Sequence, residues 1–244
     1  MRRNLNFNKG DSYMLAEHIH LQRAAERAGQ GDFAGAAEVL RAARREWPFL
    51  PSLAEHLAVC LRYLGDWAGC LAAAEDARRH GFVSAEGEIA RAEALARTGE
   101  RDAAEMAFLG VLGRGDPERR HWADVARTAG TLGFADLALD ACRRILLDDP
   151  EDADALLGAA MYSERLSHPP ERVERLYRRA VKFGPGNRTA RAALGMFLFR
   201  RRRFAEAHAL LSELPDSVPA CGCVRRAKAM LAAYFEHSRP SASD

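Results

Sequence analysis

The sequence predicts an all-α fold, a row of antiparallel helix pairs. Three observations carry that prediction. Gly31, Gly65, Gly99 and Gly133 recur at intervals of 34 residues. Small and apolar residues repeat in register around each of them. Pro48, Pro117 and Pro150 stand near the ends of three of the units so marked, and Phe82, after Gly81, takes that place in the second. A period of this length is the mark of one supersecondary unit copied along the chain.

Taken in order, residues 1–10 read as a flexible N-terminus. Two Arg open the chain, but MRRNLNFNKGDSYM has no apolar run behind them and does not read as a secretory signal. Asp11 or Ser12 can cap the first helix. From there the array is expected over 11–216. Seven residues before each glycine stand Ala24, Ala58, Ala92 and Ala126, and five after stand Ala36, Cys70, Ala104 and Ala138. Side chains this small let two helix backbones approach where they cross. Nine after come Leu40, Ala74, Phe108 and Cys142, and twelve after come Ala43, Ala77, Val111 and Ile145, placed to face the next pair. The glycine supplies the positive φ that commonly ends a helix. Proline stops the second helix or opens the next. One pair cannot bury both its faces, so the copies must stack.

Two looser units follow. Ala160 or Met161, Tyr177, Ala180 and Pro185 outline a fifth, with a residue inserted near Ser167, His168, Pro169 and Pro170. Leu194, Gly195, Leu198, Phe204, Ala207 and Leu211 outline a sixth. The run LPDSVP at 214–219 reads as a break. A last amphipathic helix within 217–237 puts Val224, Ala227, Leu231, Tyr234 and Phe235 on one stripe, as a cap for the open end of the stack. Residues 238–244 read as a disordered tail.

This register resembles the tetratricopeptide repeat (TPR) family, whose consensus sets Trp, Leu, Gly, Tyr, Ala, Phe, Ala and Pro at fixed offsets within one repeat. The matches are Leu57-Ala58, Ala36 with Leu40 and Ala43, Ala104 with Phe108, and Trp122 with Ala126; the resemblance covers residues 16–216. It implies a right-handed superhelical solenoid whose first helices line a concave groove for a peptide or another protein's helix. Carried over by position, the groove residues are Arg62, Glu93, Arg97, Arg120 and Arg127, then Leu157, Met161, Arg165, Met196 and Arg200. The arginines would offer forked bonds to carboxylates or carbonyls. Leu157, Met161 and Met196 would offer a soft apolar strip. The competing reading pairs several of these arginines within the chain, with Glu55, Glu86, Glu93 and Asp154. The clamp by which some family members grip a heat-shock protein's terminal carboxylate is absent: Leu21, Ala25, His56, Glu86 and Ala90 occupy its places.

Composition bounds the rest. Hydrophobic residues are 48% and charged residues 29% of 244, enough for a core and a well-solvated surface, and the net charge of +2 announces no polyanion partner. Charge is uneven, however. Between 165 and 203 cations crowd, and Arg172, Arg175, Arg178, Arg179 and Lys182 should face outward if Val173, Leu176, Tyr177 and Ala180 face the core. Such a face could meet nucleic acid, anionic lipid or an acidic protein, and no nucleic-acid reading motif accompanies it. Cys60, Cys70 and Cys142 read as small hydrophobes, and Cys221 with Cys223 lacks the second pair that structural zinc wants. The acidic run at 148–154 reads as a solvated turn. Phosphate loops, nucleophile elbows and zinc-protease motifs are absent, as is any run long enough to span a membrane.

The resulting expectation is a non-catalytic scaffold or adaptor, bacterial and cytoplasmic, without cofactor or metal. It binds another protein or peptide, an acidic one included, and could self-associate. The alternatives are a regulatory or targeting subunit for a glycosyltransferase or sulfotransferase-like partner and, last, a nucleic-acid binder through the face at 165–203. On this reading Arg127→Glu weakens ligand binding and leaves melting nearly unchanged.

Overall fold

A computed structural model describes residues 9–81, 84–115, 117–215 and 222–237, with side chains from 14 to 235. Among the described residues are thirteen α-helices and no strand. They are α1 (Lys9–Gly29), α2 (Phe33–Glu46), α3 (Pro51–Leu64), α4 (Trp67–Arg79), α5 (Ala85–Thr98), α6 (Arg101–Leu112), α7 (Arg119–Thr131), α8 (Ala135–Asp148), α9 (Ala153–Arg165), α10 (Pro170–Phe183), α11 (Arg188–Arg200), α12 (Phe204–Ser212) and α13 (Gly222–His237). The expected tail at 238–244 and most of the expected loose start at 1–10 lie outside the described residues, as does Cys221.

One hydrogen bond recurs at the end of every first helix. The amide following the turn donates to the carbonyl five residues back: Asp32 to Arg27, Asp66 to Leu61, Glu100 to Leu95, Phe134 to Ala129, His168 to Ser163 and Arg203 to Leu198, all at 2.8–3.0 Å. That bond requires a left-handed residue just before the donor. Gly31, Gly65, Gly99 and Gly133 supply it with φ of 80, 74, 97 and 87°. In the fifth and sixth pairs the same place is held by Ser167 at φ 55° and Arg202 at φ 61°. Ser167 keeps the 34-residue interval. The inserted residue falls next, because α10 begins three residues after Ser167, where every other second helix begins two after its turn.

All sixteen small and apolar positions read from the register are buried, from Ala24 and Ala36 through Phe108 to Ile145. The second helices gain local support as well. Asp32 and Asp66 cap α2 and α4, accepting from the amides of Gly35 and Gly69 at 2.8 and 2.9 Å. Pro51 opens α3 and Pro170 opens α10. The acidic run at 148–154 is a capping turn: Asp152 accepts from the Ala155 amide at 2.8 Å and starts α9.

The chain divides into two compact units, Met1–Leu137 and Ala138–Asp244, with the boundary in the first turn of α8. In a repeat stack each pair touches only its neighbours, so cohesion is local. In unit one, α1, α3, α5 and α7 lie side by side, each packed on its own second helix or on the one before it. In unit two, α9 to α12 succeed one another and α13 packs on α11 and α12. Val224, Ala227 and Leu231 of α13 are buried there, but Tyr234 of the expected stripe is half exposed. It lies instead against the Phe204 and Phe235 rings, with centroids 5.2 and 5.1 Å away. A second correction concerns α1, which starts at Lys9 and not at a cap on Asp11 or Ser12. Those residues lie in its first turn, where the helix dipole favours an acidic side chain. None of the described helices is long and apolar enough to cross a membrane.

Candidate functional site

The first helices of unit one build the site, and a buried arginine fixes their spacing. Arg62 of α3 is 6% exposed. Its Nε donates to Glu93 of α5 at 2.7 Å, and its two terminal nitrogens donate to Asp124 of α7 at 2.7 and 3.0 Å. The Thr128 hydroxyl takes a further bond at 2.8 Å. Three helices thus meet on one guanidinium. Burial alone would lower its pKa, but the bonds and charges of Asp124 and Glu93 outweigh it and hold the proton more firmly. Asp124 shows the converse. Burial would raise its pKa, and the bonds and charges of Arg62 and then Arg127 bring it below the ordinary carboxylate value.

Beside this lock lies a cleft of about 530 Å³ between α1, α3 and α5. Its floor is Ala24, Ala25, Ala28, Val59 and Cys60. A ledge is made by Phe33 and Tyr63, stacked with centroids 4.3 Å apart and planes 11° apart. Tyr63 is more than half exposed. It also lines a second cleft, of about 470 Å³, that reaches α7 at Arg120, Asp124 and Arg127; Glu86 and Arg120 line both. Glu55 lies under the start of α5, accepting from the Ser84 amide at 2.9 Å. Gly87 makes room for it, since a Cβ there would overlap the Glu55 carboxylate. Burial, then the charge of Glu86, pushes the Cys60 thiol up to about 11.

The predicted groove residues fare unequally. Arg62 and Glu93 are buried against each other and leave the set of ligand-facing side chains, because their donors and acceptors are spent inside the fold. Arg97 reaches the other Glu93 oxygen at 3.5 Å and lies over the Trp67 ring, 5.1 Å from its centroid. Arg120 pairs with Glu118 at 2.9 Å and Arg127 with Asp124. Arg127→Glu would set a second carboxylate against Asp124, so the expectation of unchanged melting is withdrawn.

In unit two, Leu157 is buried, Met196 is half-buried and Met161 is 37% exposed. Arg165 lies over the Tyr162 ring at 5.7 Å, and Arg200 pairs with Glu164 at 2.5 Å. The clefts described in unit two lie elsewhere, between α10 and α12 and between α12 and α13.

The basic face is also partly spent. Arg178 bonds Glu174 and Glu206, both at 2.8 Å. Arg179 donates to the Pro150 carbonyl at 2.6 Å, and Lys182 lies over the Phe183 ring. Arg172 and Arg175 are exposed. Glu206, which α12 brings in, lies outside the basic run at 165–203 and is missed by reading that run alone.

Sequence reasoning also missed Asp124 and the Phe33–Tyr63 ledge. A signal for the first did exist: Arg62, Glu93 and Asp124 are spaced by 31 residues each time, one repeat forward and one helical turn back. Of the cysteines, Cys60, Cys70 and Cys142 are buried free thiols as read, but Cys223 is disulfide-bonded and is not a free thiol.

No protein-family model matches the chain, and no curated protein matches it by sequence. Solved structures do match. A tetratricopeptide repeat protein from Parabacteroides merdae aligns over 92% of this chain and 89% of its own, with a TM-score of 0.66 at 17% identity. The chain has the tetratricopeptide-repeat fold. The C-terminal part of a TPR-containing protein from Cytophaga hutchinsonii matches over 88% of this chain and 82% of its own, with a TM-score of 0.63 at 10% identity. YrrB, a TPR protein with an unusual peptide-binding site, matches over 82% of this chain and 99% of its own, with a TM-score of 0.57 at 15% identity. In TPR terms, the cleft lies among the first helices of the opening three repeats.

Proposed function

We propose that this chain is a non-catalytic binding scaffold and that it takes an extended segment of a partner protein in the unit-one cleft. One observation carries the reading: an exposed aromatic ledge, Phe33 on Tyr63, stands over a floor of small side chains inside a cleft of about 530 Å³. A floor of Ala24, Ala25 and Ala28 admits a bulky side chain at little steric cost, and a rigid ledge spares the entropy of ordering a loop. The peptide-binding site of YrrB, which shares the fold, supports the same use of such a surface. The thiols lining or flanking the site are buried and hold their protons firmly, which supports the non-catalytic reading.

The test is to fill the cleft. Ala25→Trp places an indole where the partner's side chain would lie. Affinity capture from the native host, quantified by mass spectrometry, should lose the specific partner with this variant. It should keep it with the outer-face control Arg172→Glu/Arg175→Glu. Identical captures from wild type and Ala25→Trp would remove the cleft from consideration.

A further inference from the structure

The sequence suggested arginine donors aimed at an acidic ligand, but the charges of the folded cleft add up differently. Each arginine lining or flanking it already faces a carboxylate of the chain: Arg62 with Glu93 and Asp124, Arg97 with Glu93, Arg120 with Glu118, and Arg127 with Asp124. Glu55 is engaged by the Ser84 amide. Glu86 is different. It is exposed, it lines both clefts, and no hydrogen-bond or ion-pair partner holds it among the described residues. Its neighbours along both cleft walls are Tyr63, whose ring is more than half exposed, and Arg120, which is paired with Glu118. A carboxylate beside an exposed aromatic ring is the arrangement that holds an ammonium or guanidinium, by ion pairing and by attraction to the ring.

We infer that the partner segment is basic: an Arg or Lys side chain set between Glu86 and Tyr63, next to an apolar side chain on the alanine floor. This rests on the cleft being the peptide site. It reverses the charge expected from the sequence, because each arginine of the groove is paired within the fold, whereas Glu86 has no partner among the described residues. An acidic segment would meet Glu86, and Arg120 and Arg127 would have to leave their present partners to offset it.

Selection from random twelve-residue peptides displayed on phage, against the immobilised full chain, tests both levels. Tyr63→Ala serves as the counter-selection. The expected result is a set of Tyr63-dependent peptides carrying Arg or Lys beside an apolar residue. Synthetic versions should bind about tenfold more weakly to Glu86→Gln, as the loss of one charge-assisted contact implies, and more weakly as salt rises. Circular dichroism of the variant should match wild type, since Glu86 has no partner to lose. Tyr63-dependent peptides that are neutral or acidic, and indifferent to Glu86→Gln, would overturn the basic partner and leave the cleft standing. Failure to obtain any Tyr63-dependent peptide would overturn the cleft reading itself, and this inference with it.

Discussion

Unit one and unit two repeat the same helix pair but secure it by different means. Unit one ends its first helices on four glycines and ties α3, α5 and α7 together through a guanidinium out of reach of water. Unit two ends α9 and α11 on Ser167 and Arg202, in the same left-handed geometry, at φ of 55 and 61°. Its ionic ties sit at the surface, around Glu164, Glu174 and Glu206. The backbone hydrogen bond that closes the turn is the same in all six pairs. What repeats through the chain is therefore the turn, and glycine is the residue that makes it cheapest. A side chain held at positive φ costs about 1–2 kcal/mol, a cost that packing along the pair offsets.

Charge placement gives the sharpest way to break this comparison. Arg62→Ala leaves Glu93 and Asp124 facing each other without their shared cation. It should cost about 3–5 kcal/mol in urea unfolding, the loss typical of removing one partner from a buried ion pair. Arg200→Ala, which removes a half-exposed partner from Glu164, should cost under about 1 kcal/mol. Equal losses would erase the distinction between the two units.

The acid response sharpens the same point. The pKa of Asp124 is lowered in the folded chain, so its contribution is present above the unfolded carboxylate value and is lost as pH falls through the folded one. The stability gap between wild type and Asp124→Asn should therefore be full at neutral pH and close below about pH 4. A gap that stayed constant down to acid would mean that the Asp124 charge is not what Arg62 needs.

The turns give smaller effects of opposite sign. Gly65→Ala meets only Trp67, at 3.9 Å from the new Cβ, so its cost is conformational and should be about 1–2 kcal/mol. Ser167→Gly should do the reverse and stabilise the chain by about 0.5–1 kcal/mol. Thermal melts of the two variants measure this directly. A loss of stability in Ser167→Gly would show that the serine side chain contributes more than its backbone strain costs.

Much of the fold was legible because it is periodic. A 34-residue interval, with alanines and larger apolar residues at constant offsets, specifies where helices cross and which faces are buried. Each of those sixteen positions is buried in the structure. The candidate site was less legible. Arg97, Arg120 and Arg127 were placed on the first helices correctly by position, but their charge balance depended on Glu93, Glu118 and Asp124. Tyr63 was passed over because an aromatic residue at a helix end looks the same whether it is buried or forms an open ledge. The start of α1 was read within a few residues, as is usual where helix ends are decided by weak local terms.

By itself the sequence determined the unit that is copied, its length, the helix crossing points and the four glycine turns, since each follows from steric size and backbone freedom over a few neighbouring residues. Only the tertiary structure decided which charges cancel. Arg62 meets partners 31, 62 and 66 residues away, and electrostatic pairing depends on distance in space, which a local pattern does not contain. The same applies to Ser167 and Arg202, whose left-handed turns are imposed by the helices packed on either side of them.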